Sequence, residues 1–250
     1  MKRALLEALQ AARRAKRPAA LVTDLRDGQQ ALIVDSDRQG DLALDAGLFA
    51  AVEAAIQADR SGPLAEDDGI FVHVFNPPLR LITVGAVHIS QALVPMAQLA
   101  GYEVLMVDPR KAWANTERFP DVTLVEGWPD EALRSLQPDH RTAVVVLTHD
   151  PKLDDPALTV ALRSPAFYIG ALGSRKTHGK RLDRLRGEGL EEAALARIHG
   201  PIGLAIGAKS PAEIAIAILA QMTQVLHGAS PLVKARPPGQ RQGQGAEAAQ

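Results

Sequence analysis

Leu81-Ile82-Thr83-Val84-Gly85-Ala86-Val87-His88, followed by Val104-Leu105-Met106-Val107-Asp108-Pro109-Arg110, decides how this chain folds. Each stretch is a short run of β-formers closed by a turn, and the residues between them, 89–99, carry helical apolar spacing. A glycine turn leads from the first strand into that helix. An acid follows the second strand at about the distance where a dinucleotide fold places its ribose-binding carboxylate. The glycine turn is a broken form of the dinucleotide fingerprint, because Val87 stands where the second glycine lets a pyrophosphate approach. Asp108 reads either as the ribose acid or as a strand-end turn residue before Pro109. Strand, turn, helix and strand in this order point to a Rossmann-like α/β fold and away from a standard nicotinamide site.

The alternation continues outward. Strands are expected at 81–84, 104–107, 122–125, 143–147 and 167–169, with helices at 89–99 and 156–162, a pattern that makes a parallel sheet with crossover helices. A packing helix at 211–226 starts on Pro211 and aligns Ile214, Ile218, Met222 and Val225. Upstream, strands 19–23 and 31–34 flank the hairpin signal Asp27-Gly28, a helix covers 47–58, and 70–75 reads as a strand. Lys2, Arg3, Arg13, Arg14, Lys16 and Arg17 around Leu5, Leu6 and Leu9 make 1–18 an amphipathic surface helix. The turn Asn76-Pro77-Pro78 marks a boundary. The expected organisation is a small N-terminal α+β domain (1–76), a Rossmann-like domain (79–228) and a disordered tail (234–250) rich in Gly, Gln, Pro and Ala.

Composition restricts the function classes. Of 250 residues, 46% are hydrophobic and the formal net charge is -1. That describes an ordinary globular protein without the global basic excess of a nucleic-acid binder, so any anion site must be local. The chain has no cysteine, which removes disulfides, a thiolate nucleophile and cysteine metal ligands. No apolar run reaches membrane-spanning length, and a cytoplasmic protein is expected.

Two glycine-rich turns suggest where an anion sits. In Phe167-Tyr168-Ile169-Gly170-Ala171-Leu172-Gly173-Ser174-Arg175-Lys176-Thr177 the glycines let the backbone approach a ligand, and Ser174 reads as an N-cap. Arg175 and Lys176 in the first helical turn oppose the helix dipole, an arrangement that makes sense beside a bound anion. Lys180, Arg181, Arg184 and Arg186 read as a solvated basic face. In Pro201-Ile202-Gly203-Leu204-Ala205-Ile206-Gly207-Ala208, Gly203 and Gly207 shape a pocket wall or a tight turn. His149 and Asp150, in Leu147-Thr148-His149-Asp150, suit a general base, a metal ligand or a polar ligand contact. Asp154 or Asp155 reads as a cap for helix 156–162. His88 faces the same crevice or is an ordinary surface histidine. No spacing resembles a metal site, and no metal is expected.

Taken in order, Val84-Gly85-Ala86-Val87-His88, Val107-Asp108-Pro109-Arg110, Arg118-Phe119-Pro120, Leu147-Thr148-His149-Asp150, the Tyr168 to Lys176 turn and the segment from Gly200 to Ala215 resemble the XdhC/CoxI family. These are accessory proteins of xanthine dehydrogenase and related molybdenum hydroxylases, and the resemblance runs from Leu81 to Met222. It implies a protein that binds the molybdenum cofactor, protects it during sulfuration by a cysteine desulfurase and helps insert it into the hydroxylase apoenzyme. On this reading Gly85, His88, Asp108, His149, Asp150, Gly170, Gly173, Ser174, Arg175, Lys176, Gly203 and Gly207 line the cofactor site, and none is catalytic. Molybdopterin carries a phosphate, or a pyrophosphate in its dinucleotide form, which suits a basic, glycine-lined crevice. The resemblance also allows a homodimer. The family's Ser-x-Pro-Arg and Gly-Gly-Cys elements are missing, and the region before Leu81 reads as abbreviated. Two alternatives stay open: an NAD(P)-dependent oxidoreductase, and a scaffold for hydroxylase assembly that binds no ligand.

Overall fold

The computed structural model describes residues 2–65 and 67–228; the expected tail, 234–250, lies outside the described residues. The chain divides into two compact units, the first ending at Leu79 and the second beginning at Arg80.

The first unit runs α1 (Arg3–Arg14), β1 (Ala19–Asp24), β2 (Gln30–Val34), β3 (Asp37–Gly40), α2 (Ala46–Gln57), β4 (Gly62–Pro63) and β5 (Ile70–Phe75). Its strands form an antiparallel sheet in the order β3-β2-β1-β5-β4. Because strand side chains alternate between faces, the central strands feed two cores. Ala19, Leu32 and Val34 pack against Leu5, Leu9 and Ala12 of α1. Ala20, Val22, Ile33 and Val72 pack against Val52 and Ala55 of α2. The basic residues flanking the apolar stripe of α1 stay outside.

The boundary falls after the first residue of β6 (Leu79–Val84), and the second unit continues with α3 (His88–Leu99), β7 (Tyr102–Val107), β8 (Thr123–Val125), α4 (Pro129–Leu136), β9 (Thr142–Val146), α5 (Pro151–Leu162), β10 (Tyr168–Ala171), α6 (Arg175–Gly187), α7 (Glu192–Leu195), β11 (Ile198–His199) and α8 (Pro211–Leu226). The six strands form a parallel sheet in the order β11-β10-β9-β6-β7-β8, the Rossmann-like arrangement expected from the sequence. Every residue of β9 is buried, as a parallel strand covered on both faces requires. Ile82, Val84, Val144, Val146 and Ile169 point to one face, where Leu133 of α4, Leu158 of α5 and Leu185 of α6 close the core. On the other face α3 packs against β7 and α8. Truncating such a buried leucine to alanine costs about 2–5 kcal/mol.

The chain leaves β6 toward β8, then returns to add β9 on the opposite side of β6. The topology therefore reverses between β6 and β9, the point beyond whose carboxyl ends open α/β sheets place their ligands.

Several boundaries differ from expectation. The expected helix at 156–162 begins five residues earlier, at Pro151, because Asp150 caps it: the carboxylate accepts from Lys152 N at 3.0 Å and Pro151 takes the first helical position. Asp154 and Asp155 are therefore not caps but buried residues inside α5. The short elements β3, β4, α4, α7 and β11 have no counterpart among the expected ones.

Candidate functional site

Gly85 ends β6 at the point of reversal. Its φ is +110°, and a Cβ there would stand 2.8 Å from Thr148 Cγ2 at the end of β9. Only glycine fits both the left-handed backbone and the close approach. The next peptide is held from both sides: Ala86 N donates to Asp108 Oδ2 at 2.8 Å, and Ala86 O accepts from Arg118 Nη1 at 2.9 Å.

Asp108 is spent within the fold. Its buried carboxylate accepts from Ala86 N, from Arg110 N and from two nitrogens of the Arg110 guanidinium, all within 2.9 Å. Burial raises its carboxyl, but the Arg110 guanidinium and the two backbone donors outweigh this and hold it below the ordinary aspartate range. Of its two readings, ribose acid or strand-end turn residue, these bonds match the second: Asp108 braces the glycine turn through the amide that a dinucleotide site would aim at pyrophosphate.

Gly170 and Gly203 are also occupied by packing. A Cβ on Gly170 would lie 2.5 Å from Ile202 Cδ1, and one on Gly203, where φ is +90°, would lie 3.1 Å from Ala217 of α8. Gly203 N donates to Gln221 Oε1, which also accepts from the Tyr168 hydroxyl. Gly207 is exposed, with open space about its Cα. The segment from Gly200 thus packs onto β10 and α8; a Cβ at Gly200 itself would meet the ring of His178 at 2.3 Å. Burial, then the charge of Arg181, keeps His178 below the usual histidine range.

The remaining candidates gather at the carboxyl ends. His88 is the exposed first residue of α3, whose N-cap, Val87, offers no side-chain cap. His149 is exposed after β9 with φ at +64°, a conformation uncommon for a residue with a Cβ. Beyond β10, Gly173 (φ +142°) lets Thr177 close against it, and Ser174 caps α6 by accepting from Thr177 N at 3.2 Å. Arg175 and Lys176 then stand exposed in a first turn that holds no acid.

A cleft of about 250 Å³ lies between the start of α5 and the first turns of α6, lined by His149, Pro151 and Asp154 on one side and by Lys176, Thr177, Lys180, Arg181 and Arg184 on the other. Arg181, expected on a solvated face, is 1% exposed. Its Nη2 donates to Leu172 O at 2.8 Å and lies 3.3 Å from Asp154 Oδ2. Asp154 also accepts from the Thr148 hydroxyl, and burial pushes its carboxyl above the usual range against the pull of Thr148 and Arg181. Arg184 is clamped on Asp155 through two nitrogens. The spacing Thr177, Arg181, Leu185 could have found Arg181: four-residue steps place it on the face that carries the buried Leu185. Among the described residues no group of His, Asp or Glu is arranged to hold a metal, and no helix is long and apolar enough to cross a membrane.

A second cleft, about 340 Å³, opens beyond β7 and β8, lined by Asp108, Lys111, Val125, Glu126 and Trp128.

Residues 81–222 match the family described as the XdhC Rossmann domain. The chain is 31% identical over 151 residues to the molybdenum cofactor insertion chaperone PaoD of Escherichia coli (strain K12), covering 60% of this chain and 41% of that protein. It is 33% identical over 153 residues to a Bacillus subtilis (strain 168) protein named as a probable component of xanthine dehydrogenase, covering 60% of this chain and 43% of that one. The chain spans less than half the length of these curated relatives. Among solved structures it is similar to a xanthine dehydrogenase from Bacillus halodurans, with a TM-score of 0.70 and 25% identity over 92% of this chain and 66% of the other.

Proposed function

The chain belongs to the XdhC Rossmann-domain family, and from that premise we propose that it binds the molybdenum cofactor at the carboxyl ends of β9 and β10 and delivers it to a molybdenum hydroxylase apoenzyme without turning it over. One observation carries the reading: Arg175 and Lys176 stand in the first turn of α6 with Lys180 one turn further on, and none of the three forms an ion pair among the described residues. Cations against a helix N-terminus are unfavourable until an anion joins them, and a pterin bearing phosphate or pyrophosphate is such an anion. The similarity to a protein named as a molybdenum cofactor insertion chaperone supports the same reading.

Within it each residue has limited work. Arg175 and Lys176 hold the phosphate, presented by the turn that Gly173 and Ser174 shape. His149 and Asp150, with His88 across the crevice, contact polar parts of the pterin, and Gly85 keeps the floor low. The bound cofactor supplies molybdenum chemistry to its eventual host, whereas this chain orients it and shields it from water. The chain has no cysteine, so sulfuration falls to a partner, a cysteine desulfurase in our reading. We place the protein in the cytoplasm, and a homodimer is compatible with this role. The nicotinamide alternative has little to stand on, since Asp108 is saturated by Arg110 and Ala86 and Val87 narrows the turn.

A delivery assay tests the proposal. Cofactor-loaded protein mixed anaerobically with a hydroxylase apoenzyme should restore its activity, and an Arg175→Ala/Lys176→Ala variant should lose at least tenfold in delivery. Equal restoration by free cofactor, with or without the protein, would refute it.

A further inference from the structure

The cleft between α5 and α6 contains a feature that the solvated-face reading of Lys180 and Arg181 does not explain. Arg181 is almost completely buried, yet its Nε and Nη1 have no hydrogen-bond partner among the described residues. A buried donor without a partner forfeits its hydration with nothing in return, the more so when it is charged, and here one side chain lining a cleft carries two. The carboxylate that it does meet, Asp154, is already shared with the Thr148 hydroxyl. Lys176 and Lys180 stand one helical turn apart on the same face and lean on the same space, a like-charge spacing that destabilises a helix. With Arg184 neutralised by Asp155, the three cations Lys176, Lys180 and Arg181 share the cleft with one acid, Asp154, among its lining residues. The excess matches a doubly charged tetrahedral anion.

We propose that this cleft is the seat of a phosphate group, free or carried as a monoester, with the Arg181 fork beneath it, Lys176 and Lys180 at its sides and the Thr177 hydroxyl at its mouth. An arginine fork suits the two-oxygen geometry of phosphate, and the start of α6 adds its dipole. The seat lies beyond β9 and β10, whereas dinucleotide folds hold their phosphates at the first strand-to-helix turn; in this chain that turn's amide belongs to Asp108. The inference deepens the cofactor reading and rests on it only for what carries the phosphate.

Calorimetric titration of the full chain with inorganic phosphate and with phenyl phosphate tests it, at constant ionic strength set by chloride. One saturable site is expected, weakened at least tenfold in Lys176→Ala/Lys180→Ala, which alters exposed residues only, and unchanged in Arg134→Ala on α4. Arg181→Lys, which keeps the charge opposite Asp154 but removes the fork, should weaken binding about tenfold. Tighter binding of phenyl phosphate supports a carried monoester, and equal binding supports free phosphate as sufficient. Absence of saturable binding, or binding indifferent to Lys176 and Lys180, overturns the seat. Phosphate binding without cofactor binding would leave the seat standing and refute the delivery role, and cofactor binding without phosphate binding would do the reverse.

Discussion

Gly85 has no side chain because its surroundings leave no room for one. A methyl group there meets Thr148, and the backbone sits at a φ that side chains disfavour. Gly85→Ala should therefore cost about 2–4 kcal/mol, read as a lower urea midpoint with unchanged slope. Asp108 makes a sharper prediction because its carboxyl is held below its unfolded value. A depressed carboxyl contributes stability that is fully present above the unfolded pKa of about 3.9 and is lost as pH falls through the lower folded value. Asp108→Asn should thus be about 2–3 kcal/mol less stable than the parent at pH 7, by the usual worth of hydrogen bonds to a charged group. The gap should narrow as both proteins are titrated below the unfolded aspartate pKa and through the lower folded value, and a gap independent of pH would contradict the assignment. At this scale the sequence is half legible. Gly85 and Asp108 stand out as turn and strand-end residues, but the closure of Asp108 onto Arg110 and Ala86 depends on two strands meeting, which no local spacing encodes. Gly170 and Gly203 look like ligand glycines for the same reason, since the side chains of Ile202 and Ala217 that fill their space come from other elements.

Among elements, those with strong end signals are readable. Helix α8 runs Pro211–Leu226 as expected, framed by Ser210 and Glu213 in a reciprocal cap. Helix α5 is harder to place because Pro156 resembles a start, whereas Asp150-Pro151 is the actual cap and first position. Asp150→Ala should accordingly lower stability by about 1 kcal/mol, seen as a lower thermal midpoint, and a larger loss of cofactor affinity than of stability would assign Asp150 a ligand contact as well. Helix α4 escapes notice although Pro129, Asp130, Glu131 and Arg134 carry the charge order of a helix; at eight residues it is too short for periodicity to stand out. The exposed strand β3 and the two-residue β11 have no apolar alternation at all. Helix α6 is the most informative element. Its charges read as solvent-facing one by one, and only the helix turn that buries Arg181 beside Asp154 separates the cations that line the cleft from the rest.

For the whole molecule, the alternation of strands and helices from Leu81 onward is enough to give a parallel sheet, and the reversal between β6 and β9 marks the end of the sheet where open α/β folds place their ligands. Composition says only that an anion site must be local, and our reading of the fold puts it at one end of β9 and β10 rather than at the first glycine turn. The central claim is that this end of the sheet holds the molybdenum cofactor. Anaerobic equilibrium dialysis of the full chain against the cofactor, with NADH in parallel, tests this most directly. The account predicts about one cofactor bound per chain, at least tenfold weaker binding by Arg175→Ala/Lys176→Ala, and no retention of NADH. Retention of NADH without the cofactor, or cofactor binding untouched by the double substitution, would contradict it.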